Sequence, residues 1–184
     1  MRSLSKISLR WLMALAFAVA AVALRLETNF LSILRILLGS LAGIYFSQLD
    51  YLVFSYLTDP PHPFSQGLRQ LVSRGNWKGL IAYLKYHALD IEGERRILKS
   101  ALFQFSLAVL GFYVVSSSQS VFGSSLVLVT QLELFYQQYE DYRRRGNLEG
   151  WFWVLKERPT RNFLRGYFLV LAVVFGYSLL IFAR

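Results

Sequence analysis

The chain has 184 residues, of which 55% are apolar and 16% aromatic, and only 17% carry charge, against about 25% in a soluble domain. Twenty Lys and Arg against eleven Asp and Glu give a net charge of +9, an excess that usually serves nucleic acid or membrane headgroups. With no cysteine and two histidines, disulfide scaffolds, thiolate zinc sites and a cysteine nucleophile are excluded, and a His-rich metal centre has little to draw on. The length suits one domain, and the composition predicts an all-α, polytopic membrane helix bundle over residues 1–184.

A bilayer core takes about 17–25 apolar helical residues to cross. Five segments meet or approach that length. The first covers residues 11–26, entered through Arg2, Lys6 and Arg10. A secretory signal starts in the same way, but Leu24-Arg25-Leu26-Glu27 lacks the small-x-small cleavage pattern, so the segment is read as an uncleaved span. The second covers residues 36–57, with Phe30 as an earlier possible start, and closes at Asp59-Pro60-Pro61. Within it, Gly39 and Gly43 form a small-xxx-small face that permits close helix packing. The third and fourth, residues 101–115 and 121–136, make a hairpin through the polar run Ser116 to Ser120. The fifth covers residues 166–183.

With the N-terminus inside and the C-terminus outside, seventeen of the twenty Lys and Arg fall in the cytoplasmic N-terminus or in the loops 58–100 and 137–165. That asymmetry follows the positive-inside rule. It also accounts for the positive charge without nucleic acid, and points to a prokaryotic inner membrane.

Each cytoplasmic loop is predicted to carry an amphipathic helix. In the first, Leu68, Leu71, Val72, Leu80, Ile81, Leu84 and Ala88 recur at helical spacing, with Arg69, Arg74, Lys78 and Lys85 elsewhere and Trp77, Tyr83 and Tyr86 between them. Such a helix can lie among headgroups or pack on the protein's own spans. Arg74-Gly75-Asn76-Trp77-Lys78-Gly79 resembles Arg145-Gly146-Asn147-Leu148-Glu149-Gly150, and Leu84-Lys85 recurs as Leu155-Lys156. Both copies predict a helix stop at Gly and a fresh helix capped by Asn. In the second loop Arg143, Arg144 and Arg145 precede Trp151 and Trp153. Together with Trp77 they form the expected face toward anionic lipid or an acidic partner.

Ionisable groups inside spans call for a functional hypothesis. Asp50 and Glu133 both fall toward the inner ends of their spans, and Gln104, Gln131, Gln137 and Gln138 fall at similar depth. Asp50, Lys99, Gln104, Glu133 and Gln137 are therefore expected to form a buried polar cluster. It would serve either as an ion-paired lock with Lys99 or Arg96 as partner, or as a site for a divalent metal or a proton. No P-loop, H-E-x-x-H, G-x-S-x-G or G-x-G-x-x-G occurs.

Residues 36–138 resemble the membrane-bound metal-dependent hydrolases of the YdjM type. Gln48-Leu49-Asp50-Tyr51 is similar to that family's Pro-Asp-Leu-Asp-His motif, with Tyr51 at the histidine. Leu98-Lys99-Ser100-Ala101 is similar to its Thr-His-Ser motif, with Lys99 at the histidine. Glu133-Leu134-Phe135-Tyr136-Gln137 is similar to its His-x-x-x-Asp pair, with Glu133 and Gln137 substituted. The resemblance implies Asp50 and Glu133 as metal ligands. Because most ligand positions are changed, it also implies a relative that has lost its metal.

The expected function is thus a non-catalytic scaffold or accessory subunit, with no cofactor, that engages membrane lipid or a partner complex through its basic cytoplasmic face, within a larger membrane complex or as a homo-oligomer. A membrane-embedded hydrolase of a lipid-linked or phosphorylated substrate is the alternative, and a small transporter or channel subunit the third.

Overall fold

The computed structural model describes residues 2–87, 95–155 and 158–184, with side chains from residue 9 onward. Ala88 and Lys156, which belong to the loop patterns, lie outside the described residues. The described chain is helical, with no strand among the described residues.

Helix α1 (Arg2–Leu24) is followed by a turn in which Leu26 adopts φ 50°, a left-handed conformation rare outside glycine. Asn29 then caps α2 (Phe30–Phe46) by accepting the Leu31 N–H at 2.9 Å. The helical path continues through a 3₁₀ turn at Ser47–Leu49, the short α3 (Asp50–Val53) and a π turn at Phe54–Thr58. The second apolar segment therefore starts at Phe30, six residues before the main sequence expectation.

In the first loop, His62 Nδ1 accepts the Phe64 N–H at 3.2 Å and Pro63 occupies the first turn of α4 (Pro63–Ser73). Gly75 reverses the chain at φ 63°, and Asn76 caps α5 (Trp77–His87) by accepting the Gly79 N–H at 2.9 Å. Phe64 and Leu68 of α4 are buried with Phe54 of the π turn and Leu80 of α5. This loop thus packs on the protein's own helical path, while Trp77 (65% exposed), Ile81 and Tyr86 of α5 point outward.

Ser100 and Ser120 cap α6 (Ala101–Ser117) and α7 (Val121–Arg145). Gly146, at φ 70°, ends α7 where its N–H meets the Tyr142 carbonyl at 2.8 Å. Here the second copy of the repeat departs from expectation. Asn147 starts no surface helix; a single 3₁₀ turn, Glu149–Trp151, comes next. Burial of Leu148, Trp151 and Phe152 against α6 and α8 holds that segment instead. Thr160 then caps α8 (Arg161–Phe182).

Helix α7 is the centre of the bundle. It packs on α1, α2, α6 and α8, most extensively on α2. Gly39 and Gly43 lie directly against it: a Cβ on Gly39 would fall 2.5 Å from the Phe122 carbonyl oxygen, and one on Gly43 would fall 2.7 Å from that of Leu126. The Thr130 hydroxyl donates to the Gly43 carbonyl at 3.2 Å across the same contact. Because Gly39 meets 122–126 and Gly43 meets 126–130, α2 and α7 run parallel. Trp11 against Tyr45 sets α1 antiparallel to α2. Gly111 against Gln131 sets α6 antiparallel to α7, and Phe112 against Tyr177 sets α8 parallel to α6.

Among the described residues, two helical stretches are long and apolar enough to cross a bilayer: Phe30–Thr58 and Arg161–Phe182, whose most apolar 18 residues have mean hydropathy 1.7 and 1.9. Leu9–Leu24 and Ala101–Ser117 are apolar but shorter. Helix α7 buries Ser124, Ser125, Thr130, Gln131, Glu133, Gln138 and Asp141, the polar content of a helix shielded by others.

At the far end of the bundle Arg25 ties the α1–α2 turn to α8. Its guanidinium donates to the Phe182 carbonyl at 2.6 Å, lies 5.1 Å from the Phe182 ring centroid and pairs with Glu27 at 3.5 Å. Arg25→Ala removes the donor from an otherwise unsatisfied helix end. An expected loss of about 1–2 kcal/mol, measured by thermal unfolding in detergent, checks it.

Candidate functional site

Residues 133, 137 and 141 of α7 are spaced one helical turn apart and share one stripe. Glu133 is 1% exposed. Its carboxylate meets Arg10 of α1 at 3.1 Å and accepts a 2.9 Å hydrogen bond from the Gln137 amide. The same amide donates to the Ser47 hydroxyl at 3.0 Å, which ties α7 to the end of α2. Asp50, 2% exposed, accepts the Leu98 N–H at 2.9 Å and faces Arg96 at 3.5 Å. Arg96 also stands 5.9 Å from the Tyr51 ring centroid, and its carbonyl accepts the Trp153 indole N–H at 3.2 Å. The stretch 95–100 is thereby pinned between α3 and the second loop.

Asp141 closes a third node. It pairs with Lys99 at 2.9 Å and accepts the Trp151 indole N–H at 2.8 Å, with Lys99 5.6 Å from the Trp151 ring centroid. Beside it, Glu140 pairs with Arg144 at 2.8 Å. Burial pushes the Glu140 carboxyl above the usual carboxylate range; the Asp141 charge adds to this, while Arg10 and Lys99 oppose it. A fourth node joins α6 and α8, where the Tyr167 hydroxyl lies 2.9 Å from Gln104 Oε1 and 3.0 Å from the Ala101 carbonyl. The Gln131 amide donates to the Leu107 carbonyl at 2.9 Å.

The expected single cluster therefore divides. Asp50 takes Arg96 as its ion pair. Lys99 acts electrostatically on both Asp50 and Glu133 but forms its ion pair with Asp141. Glu133 and Gln137 stay together, with Arg10 as the cation, and Gln104 belongs to the Tyr167 node. Each buried charge takes the nearest opposite charge or backbone donor, because an unpaired one in an apolar interior is costly. Among the described residues no three His, Asp or Glu side chains gather in an arrangement that could hold a metal ion.

The expected outward face also divides. Arg143, Arg144 and Arg145 are exposed, as is Trp77. Trp151 is not: it is 3% exposed, drawn inward by its bond to Asp141, and Trp153 is half-buried on Arg96. Arg10, Asp141, Trp151 and Tyr167 are the members sequence reasoning missed. Asp141 had one available signal, its two-turn spacing from Glu133. Lys99→Met leaves Asp141 with the Trp151 N–H as its neutral donor, and is expected to destabilise by about 3 kcal/mol. Recovery of most of that loss in Lys99→Met/Asp141→Leu, by thermal unfolding, would mark the pair itself as the source.

Over the described residues, fold and site together define an all-helical protein with a polar, ion-paired interior and two segments able to cross a bilayer. No family model, no curated protein and no solved structure matches the chain.

Proposed function

We propose that this chain is a five-span protein of a prokaryotic inner membrane, N-terminus inside and C-terminus outside. It acts as a non-catalytic scaffold or accessory subunit that meets lipid or a partner complex through its basic cytoplasmic face. The observation that carries this reading is the inverted distribution of polarity. Buried positions include Asp50, Gln104, Gln131, Glu133 and Gln138, while Leu12, Val19, Leu38, Leu110, Leu169 and Leu180 stand at least half exposed on the long helices. In α8 only 11% of the apolar window is buried, too little for the core helix of a water-soluble domain. Exposed apolar surface on this scale suits lipid. The packing directions agree with five alternating crossings, since α1, α6 and α8 point one way and α2 and α7 the other.

The non-catalytic part rests on the pairing of both candidate metal ligands. Asp50 and Glu133 are engaged by Arg96, the Leu98 N–H, Arg10 and Gln137, which is how a lock between helices is built. The YdjM-type resemblance is compatible with this as a scaffold whose metal site has been replaced. Extraction from native membranes in mild detergent tests the reading. The expected result is a particle heavier than one chain, without bound divalent metal, and unchanged in composition for Asp50→Asn. A single chain that keeps about one divalent metal after dialysis, and loses it in Asp50→Asn, would instead favour the hydrolase.

A further inference from the structure

A groove separates the Arg145 end of α7 from the first turns of α8. It encloses about 820 Å³, within the range of about 300–1,000 Å³ common for small-molecule sites. Phe135, Leu164 and Phe168 give it apolar lining, and Arg161 and Arg165, one helical turn apart on the same helix as Leu164, give it guanidinium groups. Both arginines are exposed, and neither has an ion pair among the described residues. Gln138, 1% exposed, also lines the groove. Its amide stands near the Tyr167 hydroxyl, yet neither its oxygen nor its nitrogen closes a hydrogen bond. A buried amide without a partner is a costly arrangement, and it is relieved by an occupant that brings polar atoms to that depth.

These three kinds of lining, guanidinium, buried amide and apolar, suit one amphipathic molecule. We propose that the α7–α8 groove holds a single anionic phospholipid, with its phosphate on Arg161 and Arg165, its glycerol-ester region at Gln138 and an acyl chain along Phe135, Leu164 and Phe168. Guanidinium groups suit phosphate because they present paired donors to its oxygens. A neutral acyl compound would leave the arginines unused, and a soluble anion would leave the apolar stretch bare. The inference rests on the proposed membrane location and adds to it a defined site on the cytoplasmic side.

The test uses the full chain, delipidated in mild detergent and studied by native mass spectrometry with dioleoyl phosphatidylglycerol or dioleoyl phosphatidylcholine. Two arginines near a membrane surface give an expected preference of about 30-fold for the anionic lipid, at one molecule per chain. Arg161→Gln/Arg165→Gln is expected to abolish that preference. Lys78→Gln/Lys85→Gln, which removes the same charge from the exposed face of α5, is expected to keep it. Equal retention of both lipids by the native chain, or an undiminished preference in Arg161→Gln/Arg165→Gln, would overturn the proposal. So would a dimer that carries no lipid, which would assign the groove to a second copy. Flotation with vesicles of either lipid separates the two levels. A chain that fails to float contradicts the membrane reading and the site together, whereas one that floats without lipid preference contradicts the site alone.

Discussion

Arg10→Leu is expected to destabilise the bundle by about 3–5 kcal/mol, the cost of leaving a buried charge without its partner. Arg10 is the cation that faces Glu133, and the carboxylate sits on the central helix where water does not reach it. Gln137 supplies one neutral donor, too little to replace a guanidinium. The double variant Arg10→Leu/Glu133→Leu removes both charges and is expected to regain most of the loss, because a buried pair often contributes little beyond its apolar replacement. Thermal unfolding of the three proteins in one detergent measures the coupling. A single variant as stable as the native chain would show that Arg10 and Glu133 form no lock.

The second large effect is steric. Gly43→Leu is expected to cost about 3 kcal/mol or more and to separate α2 from α7, since overpacking against a well-fitted neighbour already costs about 1–3 kcal/mol. The obstruction is the Leu126 carbonyl at 2.7 Å and the Val129 Cβ at 2.9 Å from any added Cβ, and helical backbone moves only by shifting the whole helix. Gly176→Leu on α8 is the matched control, because nothing lies within 4 Å of a Cβ there. It is expected to change stability by less than about 0.5 kcal/mol. Equal losses for the two variants would show that the α2–α7 contact is not a tight seam.

The helices were legible in the sequence where hydropathy and capping residues coincide. The Gly-Asn repeat marks Asn76 as a cap, and it caps α5; Gly39 and Gly43 mark a packing face by size alone. Asn29, Ser100, Ser120 and Thr160 cap their helices at apolar boundaries that hydropathy alone indicates. The second repeat copy was misleading because Gly146-Asn147 repeats the local stop signal, while the path beyond it is set by burial of Leu148, Trp151 and Phe152. Local chemistry specifies where a helix ends and says little about what the next residues pack against. The site was legible in part of its inventory, with Arg10, Asp141, Trp151 and Tyr167 missed, and not in its pairing. Asp50, Glu133, Lys99 and Gln137 all belong to the polar interior, but the partner of each is fixed by helices distant in sequence. Arg10 and Glu133 are far apart along the chain, and no periodicity links them. Trp151 lies just after a run of arginines and resembled an interfacial anchor until Asp141, turned inward on the Glu133 stripe, supplied the acceptor for its indole.

Membrane topology is the claim on which the rest depends, and the lack of native cysteine makes it directly measurable. Single cysteines at Ser118, Gly146 and Arg184, probed on intact cells with a membrane-impermeant maleimide, report the side of each position. Five spans with the N-terminus inside predict immediate labelling at Ser118→Cys and Arg184→Cys, and labelling at Gly146→Cys only after the membrane is opened. Labelling of Gly146→Cys on intact cells, or protection of Ser118→Cys and Arg184→Cys, would contradict the five-span arrangement.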